Sequence, residues 1–594
     1  MRVYRARLRK PLFLVYAFVA THNHFALYRG PSVFEQSAPV IQLPEGTDES
    51  DYVGLAGILN SSVACCWMKQ VFHNKGSTVD QHGARQRTDA FEDFFEFTST
   101  GLRDFPVPAN RPSSIPESLN SLADDLAASS PSALTALSKS GESFPTQAAF
   151  STGRRVCESI RQKMIALQEE LDWQCYRLYQ LLPPEATTAD FECASPPELK
   201  LGERAFEIEL ARRVAAGDDT TTWFERHGST AITELPAHWP ADYRAVVERR
   251  IALIESDRNI GLIERPEFKR RWNTPAWDDL EKAALRDWLL DRLEQPAFWP
   301  ASADSPPQLT TTNRLADLAR ADAAFTQVAA LYAGHADFDP ARLVAELVAA
   351  EAVPLLPVQR NTDDGLRKRA QWESTWALQR REDAIDAQVV ADNSDEWRGE
   401  FTAMARTTFG SDTTDEARAW IAQKLAAEIK RHQDERKSAE VGPIPVPPKY
   451  KSTDFLRADF WRLRGGLDLP KERFVSFPGA ERGADGSLAL AWAGWNHLQL
   501  ATALAGYYVD MKDTEGWEPA RLQPLLTGLL ELVPWLEQWH NEIDPAYGER
   551  MGTYYGGFVS EEARALGFTL DDLRAWKPTV TAAKRGRKKA TREA

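Results

Sequence analysis

Asn60, Ser61 and Ser62 open a stretch in which amides and cations recur at short intervals: Lys69 and Gln70, Asn74 and Lys75, then Arg85 and Arg87. Amides and hydroxyls carry the donor and acceptor pairs that read base edges, and Lys and Arg neutralise phosphates. Residues 69–88 are net positive in a chain whose formal net charge is −15. An acidic chain has no overall field to attract nucleic acid, so any DNA contact must come from a local patch of this kind. An ordinary amphipathic helix and solvated loop accounts for the same spacing equally well.

Other groupings are weaker. His22-Asn23-His24 could put two imidazoles on one strand face, as metal ligands require, but no third ligand stands nearby, so core or turn histidines are expected. Glu267-Phe268-Lys269, with Asp257 upstream, has the Glu-x-Lys form of metal-dependent nucleases. That pattern is short and common, and a solvated turn set by Pro266 explains it more simply. Trp535 and Trp539, spaced i,i+4, read as a core stripe, with His540, Glu542 and Asp544 in a polar loop after them. The chain has no GxGxxG, P-loop, CxxC, HExxH or GxSxG motif. Val446-Pro447-Pro448-Lys449-Tyr450 imitates the Asn-Pro-Pro-aromatic motif of amino-group methyltransferases, but an apolar Val replaces the amide and Lys intrudes, so a linker is expected.

The elements that would position these residues are mostly helices. With 594 residues, 43% of them apolar and 26% charged, several soluble cores are expected. No apolar run approaches the ~20 residues of a membrane span. Five cysteines and no disulfide pattern favour a reducing cytoplasm, with Cys65 and Cys66 as core thiols. Leu12 to Ala20 reads as a buried strand rather than a secretory leader, as if the chain began in mid-domain. The fold class expected is α+β, predominantly helical: a mixed α/β segment over 1–112, then a Ser/Pro/Ala-rich linker and long helix over 113–194. A mostly helical unit with Pro-punctuated turns covers 195–300, a helical spacer 301–440, a Trp-rich helical domain 441–578 and a basic tail 579–594. Within these, helices are expected over 53–68, 153–182 and 243–256, a loop over 71–90, and an extended Pro-rich linker over 441–448.

The stretch ILNSS…CWMKQVFHNKG, followed by FEFTSTGLRDFPVP, resembles the target-recognition region of restriction-type adenine methyltransferases. LGERAFEIELARRVA (201–215), LIERPEFKRRW (262–272), WRLRGGLDLPKERFVSFPGAE (461–481) and PLLTGLLELVPWLEQWHNEIDP (524–545) resemble, in order, the C-terminal half of the large adenine-specific DNA methyltransferases of phage growth limitation, or BREX type 2, systems. The resemblance makes 1–112 a partial target-recognition domain contacting double-stranded DNA through Asn60, Ser61, Ser62, Lys69, Gln70, Asn74, Lys75, Arg85 and Arg87. It implies S-adenosylmethionine as cofactor of the full-length family. The implied partners are a catalytic methyltransferase half, a kinase, an alkaline-phosphatase-like protein and an ATPase. The family's cofactor loop and catalytic motif lie in an N-terminal domain, so no catalytic, cofactor or metal residue is assigned here. The alternatives are a helical protein–protein scaffold without DNA binding, and a nuclease built on Asp257, Glu267 and Lys269.

Overall fold

Strand β1 (Leu12–Tyr16) is apolar throughout because it is the middle strand of a small sheet, with Phe13, Leu14 and Tyr16 buried. It pairs antiparallel with β3 (Phe25–Arg29), placing Leu14 opposite Leu27, and with β4 (Val40–Ile41), placing Leu14 opposite Ile41. A second small sheet sets β2 (Val19–Ala20) and β5 (His73–Gly76) on either side of β6 (Phe94–Glu96), all antiparallel. Helices α1 (Glu49–Leu59) and α2 (Ser62–Val71) close this region over a core that includes Leu14, Tyr16, Ile58, Met68, Phe72, Phe95 and Phe105. The single helix expected over 53–68 is thus two helices, broken at Asn60-Ser61. Part of the expected loop over 71–90 is β5. The expected linker carries α3 (Ser114–Ala128), which packs on both α1 and α4 (Gln147–Leu178).

This is a computed structural model, and it describes residues 12–578 apart from 31, 33, 77–88, 139–144, 303, 465–470, 483–485 and 546–547. The chain divides into two compact units, Met1–Trp288 and Leu289–Ala594. The first unit has a second core built around α4, where Ile160, Ile165, Trp173 and Tyr176 meet α5 (Ala205–Ala216), α6 (Trp223–His227), α7 (Ala241–Ser256) and α8 (Arg258–Ile263). His227 packs on Trp223 there, ring centroids 3.9 Å apart, with Nδ1 2.7 Å from the Trp223 carbonyl oxygen. Burial pushes its pKa down from 6.5 to about 4. The unfolded chain therefore takes up a proton at this site before the folded one does. Stability from this site is full above pH ~6.5 and is lost as pH falls toward ~4, by at most about 3 kcal/mol before solvent screening lowers it. Urea titrations at pH 7 and pH 4.5 should show a smaller loss of stability in His227→Gln than in the parent chain.

The second unit has a four-stranded sheet in the order β7 (Thr310–Thr311), β10 (Ala489–Trp492), β9 (Phe474–Ser476), β8 (Ala352–Pro354), antiparallel except for the β8–β9 pair. Between β8 and β9 the chain leaves the sheet as a helical hairpin, α9 (Asp363–Phe409) and α10 (Asp415–Glu440). The 47 residues of α9 span about 70 Å. Gly410 in the left-handed region (φ +71°) ends it, and Thr414 caps α10 by accepting from the Ala417 N–H. The Pro-rich stretch 443–448 runs back along the hairpin, with the Pro448 carbonyl accepting from Trp372 Nε1 (2.8 Å) and that of Pro445 from Thr375 (3.4 Å). Helices α11 (His497–Val509), α12 (Pro519–Trp539) and α13 (Met551–Ala565) complete the unit. The expected core stripe of Trp535 and Trp539 is overturned: these side chains are 43% and 64% exposed. The buried face of α12 is Leu522, Leu525, Leu526, Leu529, Leu532 and Leu536, and the two Trp residues fall beside it. Predominantly helical α+β, with small sheets, is the fold class observed. Among the described residues no helix is long and apolar enough to cross a membrane.

Candidate nucleic-acid interface

Asn60 ends α1 by bridging to β3: its amide donates to the carbonyls of Phe25 (2.8 Å) and Ala56 (2.9 Å), and its Oδ1 accepts from the Phe25 N–H (3.0 Å). Asn23 adds bonds to the Leu59 and Ser61 carbonyls. Ser61 is the N-cap of α2, accepting from the Ala64 N–H and donating to the Ile58 carbonyl. Ser62 gives both its N–H (2.8 Å) and its hydroxyl (2.6 Å) to the carboxylate of Asp172 on α4. Lys69 is buried, its Nζ donating to the Glu267 carbonyl (2.6 Å) and lying 5.1 Å from the centre of the Phe95 ring. Burial lowers its pKa below the usual lysine range. Asn60, Ser61, Ser62 and Lys69 are thus committed to the α1–α2 corner, with Asn23 beside them.

The exposed polar groups are Gln70 at the end of α2, and His73, Asn74 and Lys75 on β5. β5 is an outer strand of its sheet. Asn74 donates to Asp93 (3.1 Å), and Lys75 pairs with Glu96 (2.7 Å), both at exposed positions where such bonds exchange readily with other partners. Arg85 and Arg87 lie outside the described residues. Gln70, Asn74 and Lys75 are thus exposed, at the end of α2 and on β5, unlike Asn60, Ser61, Ser62 and Lys69.

Behind this edge lies a buried polar network that sequence reasoning missed. Lys269 (1% exposed) donates to Asp172 (3.0 Å) and Glu264 (2.8 Å), and Tyr176 also donates to Glu264. Burial disfavours the Lys269 charge, but Asp172 and Glu264 outweigh it and hold the ammonium above the usual lysine range. Arg204 grips Glu207 with two bonds (3.0 and 2.9 Å), Trp223 Nε1 donates to the same carboxylate (3.0 Å), and Arg250 bonds Glu170 (2.6 Å). Lys269, Arg204 and Arg250 thus each have a carboxylate partner, as desolvated charge requires. Three acids within one turn of α4, at 169, 170 and 172, are the available signal.

The nuclease reading does not survive this geometry. Asp257 is the N-cap of α8, accepting from the N–H groups of Asn259 and Ile260. Glu267 pairs with Arg265 (3.0 Å), and Lys269 is committed to its two carboxylates. His22 is buried and His24 exposed, and no group of three His, Cys, Asp or Glu side chains able to hold a metal occurs among the described residues.

These features define a class: a helical α+β chain in which a small two-sheet region presents a polar edge, followed by long helical units. The chain belongs to the family described as a domain of unknown function (DUF7008), which matches residues 164–589. It is similar to the adenine-specific methyltransferase PglX of Streptomyces coelicolor, 43% identical over 574 residues, covering 96% of this chain and 42% of that protein. The chain thus spans less than half the length of that relative. No solved structure matches it. Glu169 to Lys269 lie inside the family match, whereas the exposed edge precedes it.

Proposed function

We propose that this chain is the DNA-recognition and scaffold portion of a site-specific adenine DNA methyltransferase of an antiphage defence system. The 43% identity to an adenine-specific methyltransferase over 96% of the chain carries this reading. Methyl transfer from S-adenosylmethionine belongs to a catalytic half outside these residues. The stretch nearest to a catalytic motif, Val446 to Tyr450, is a strap whose Pro448 carbonyl is bound by Trp372. No chemical step is therefore assigned to this chain. Its double-stranded DNA contact is made by Gln70, Asn74 and Lys75 together with Arg85 and Arg87, which follow β5 in sequence, with Lys and Arg on phosphates and the amides toward base edges. The α9–α10 arm supports the scaffold role, toward the catalytic half and toward kinase, phosphatase-like and ATPase partners.

Fluorescence anisotropy with duplex DNA across a salt series tests this. Phosphate contact predicts log K falling linearly with log salt, and Lys75→Ala should reduce the slope by about 1 while weakening all sequences alike. Gln70→Ala should instead cost about 1–3 kcal/mol on a preferred sequence only. A chain with no salt-dependent binding would leave the protein–protein scaffold as its whole role.

A further inference from the structure

Arg270 differs from three buried cations of the first unit. Arg204, Arg250 and Lys269 each have a carboxylate at hydrogen-bond distance. Arg270 has none among the described residues, and its Nε is buried without a hydrogen-bond partner. Its guanidinium lies 4.7 Å from the ring of Trp272, whose Nε1–H is also buried and unpartnered, and Trp272 is only 8% exposed. Both residues line a cavity of about 200 Å³ walled by Phe25, Leu27, Ala56 and Met164. The carboxylate on that wall, Asp124, pairs with Arg29 (3.5 Å). Of the three amides there, Asn60, Asn120 and Gln168, two are committed: Asn60 to the Phe25 backbone, and Gln168 to Asp172 and the Asn60 carbonyl.

The site is held rigidly. Arg204, fixed by Glu207, donates to the Arg270 carbonyl (2.7 Å), and Arg271 donates to Thr21. A guanidinium Nε–H and an indole N–H buried without partners cost stability, and folded proteins satisfy most such groups. Two unpartnered donors on residues of one cavity lining, one of them charged, beside apolar walls, match an oxyanion carried on a small organic body.

We propose that the Arg270–Trp272 cavity binds a phosphate or carboxylate group, with Arg270 Nε and Trp272 Nε1 as its donors. Burial depresses the Arg270 pKa, and a bound anion would relieve that penalty. The source is either a DNA backbone phosphate or a free small molecule. This inference does not rest on the DNA reading, because a small anion can fill the cavity without DNA.

Isothermal titration of the full chain with inorganic phosphate, and separately with benzoate, tests it. Saturable millimolar binding is expected, weakened at least roughly tenfold by Arg270→Gln and measurably by Trp272→Phe, which keeps an aromatic ring but removes the donor. In anion-free buffer Arg270→Gln should be as stable as the parent chain or more so, since it removes a charge that has no carboxylate partner. A structural cation would give the opposite result. A short duplex that displaces phosphate identifies DNA as the source, and one that binds without displacing it identifies a free molecule. No binding at tens of millimolar, binding unchanged by both substitutions, or a destabilised or unfolded Arg270→Gln overturns the proposal.

Discussion

Lys269→Met is expected to destabilise the first unit by about 3–5 kcal/mol, the cost of removing one partner from a buried ion network. The substitution keeps most of the side-chain volume and removes the ammonium. Asp172 and Glu264 would then remain buried, with their opposing cation gone. Asp172 would retain the Ser62 N–H and hydroxyl, and Glu264 the Tyr176 hydroxyl, so neither loses every donor. Urea unfolding of the full chain should show the transition of Met1–Trp288 moving to lower denaturant. Adding Asp172→Asn and Glu264→Gln in the same chain neutralises the stranded carboxylates and should recover part of the loss. The non-additivity of that cycle measures the coupling. A Lys269→Met chain within about 1 kcal/mol of the parent would mean that water or a rearranged side chain replaces the ammonium. Because Ser62 and Lys69 join α2 to this network through Asp172 and the Glu267 carbonyl, the same substitution should also loosen the corner that positions Gln70.

What the sequence disclosed, and what it hid, follow from how far apart the interacting residues lie. The stripe Ile160, Met164, Leu171 and Cys175 marks α4 from local spacing alone, and the same holds for α7 and the long hairpin. The break at Asn60-Ser61 is less visible, because Asn and Ser interrupt a helix only when they find partners, and these partners are on β3 and at the Ile58 carbonyl. β5 is hidden because its His, Asn and Lys side chains are exposed, so pairing with β6 rather than burial makes it a strand. The buried network is hidden most of all: Arg250 is 80 residues from Glu170, and Lys269 is 97 from Asp172. Local spacing carries no information about such pairs. Charged side chains at 62–75 read alike from sequence, yet folding turns Lys69 inward and leaves Lys75 out.

Gly202 gives the second large expected effect, and a control makes it specific. Gly202→Ala should cost about 2–6 kcal/mol: ~1–3 for a side chain held in sparsely populated backbone space and ~1–3 for overpacking. Gly202 has φ +97°, and a Cβ there would stand 2.1 Å from the Thr230 carbonyl oxygen. That obstacle is backbone, which cannot swing aside as a side-chain end can. Retreat of the 202 backbone would also stretch the bond from the Gly202 N–H to Glu207 (2.9 Å), and Glu207 anchors Arg204 and Trp223. Gly217, the C-cap of α5, has φ +83° but nothing within 4 Å of its ideal Cβ. Gly217→Ala should therefore cost only the left-handed penalty, about 1–2 kcal/mol. Measured in the same urea assay, the difference between the two variants isolates the clash with Thr230. Equal losses would show that the 228–230 turn yields, and that the hold of Glu207 on Arg204 does not depend on Gly202 lying this close to it.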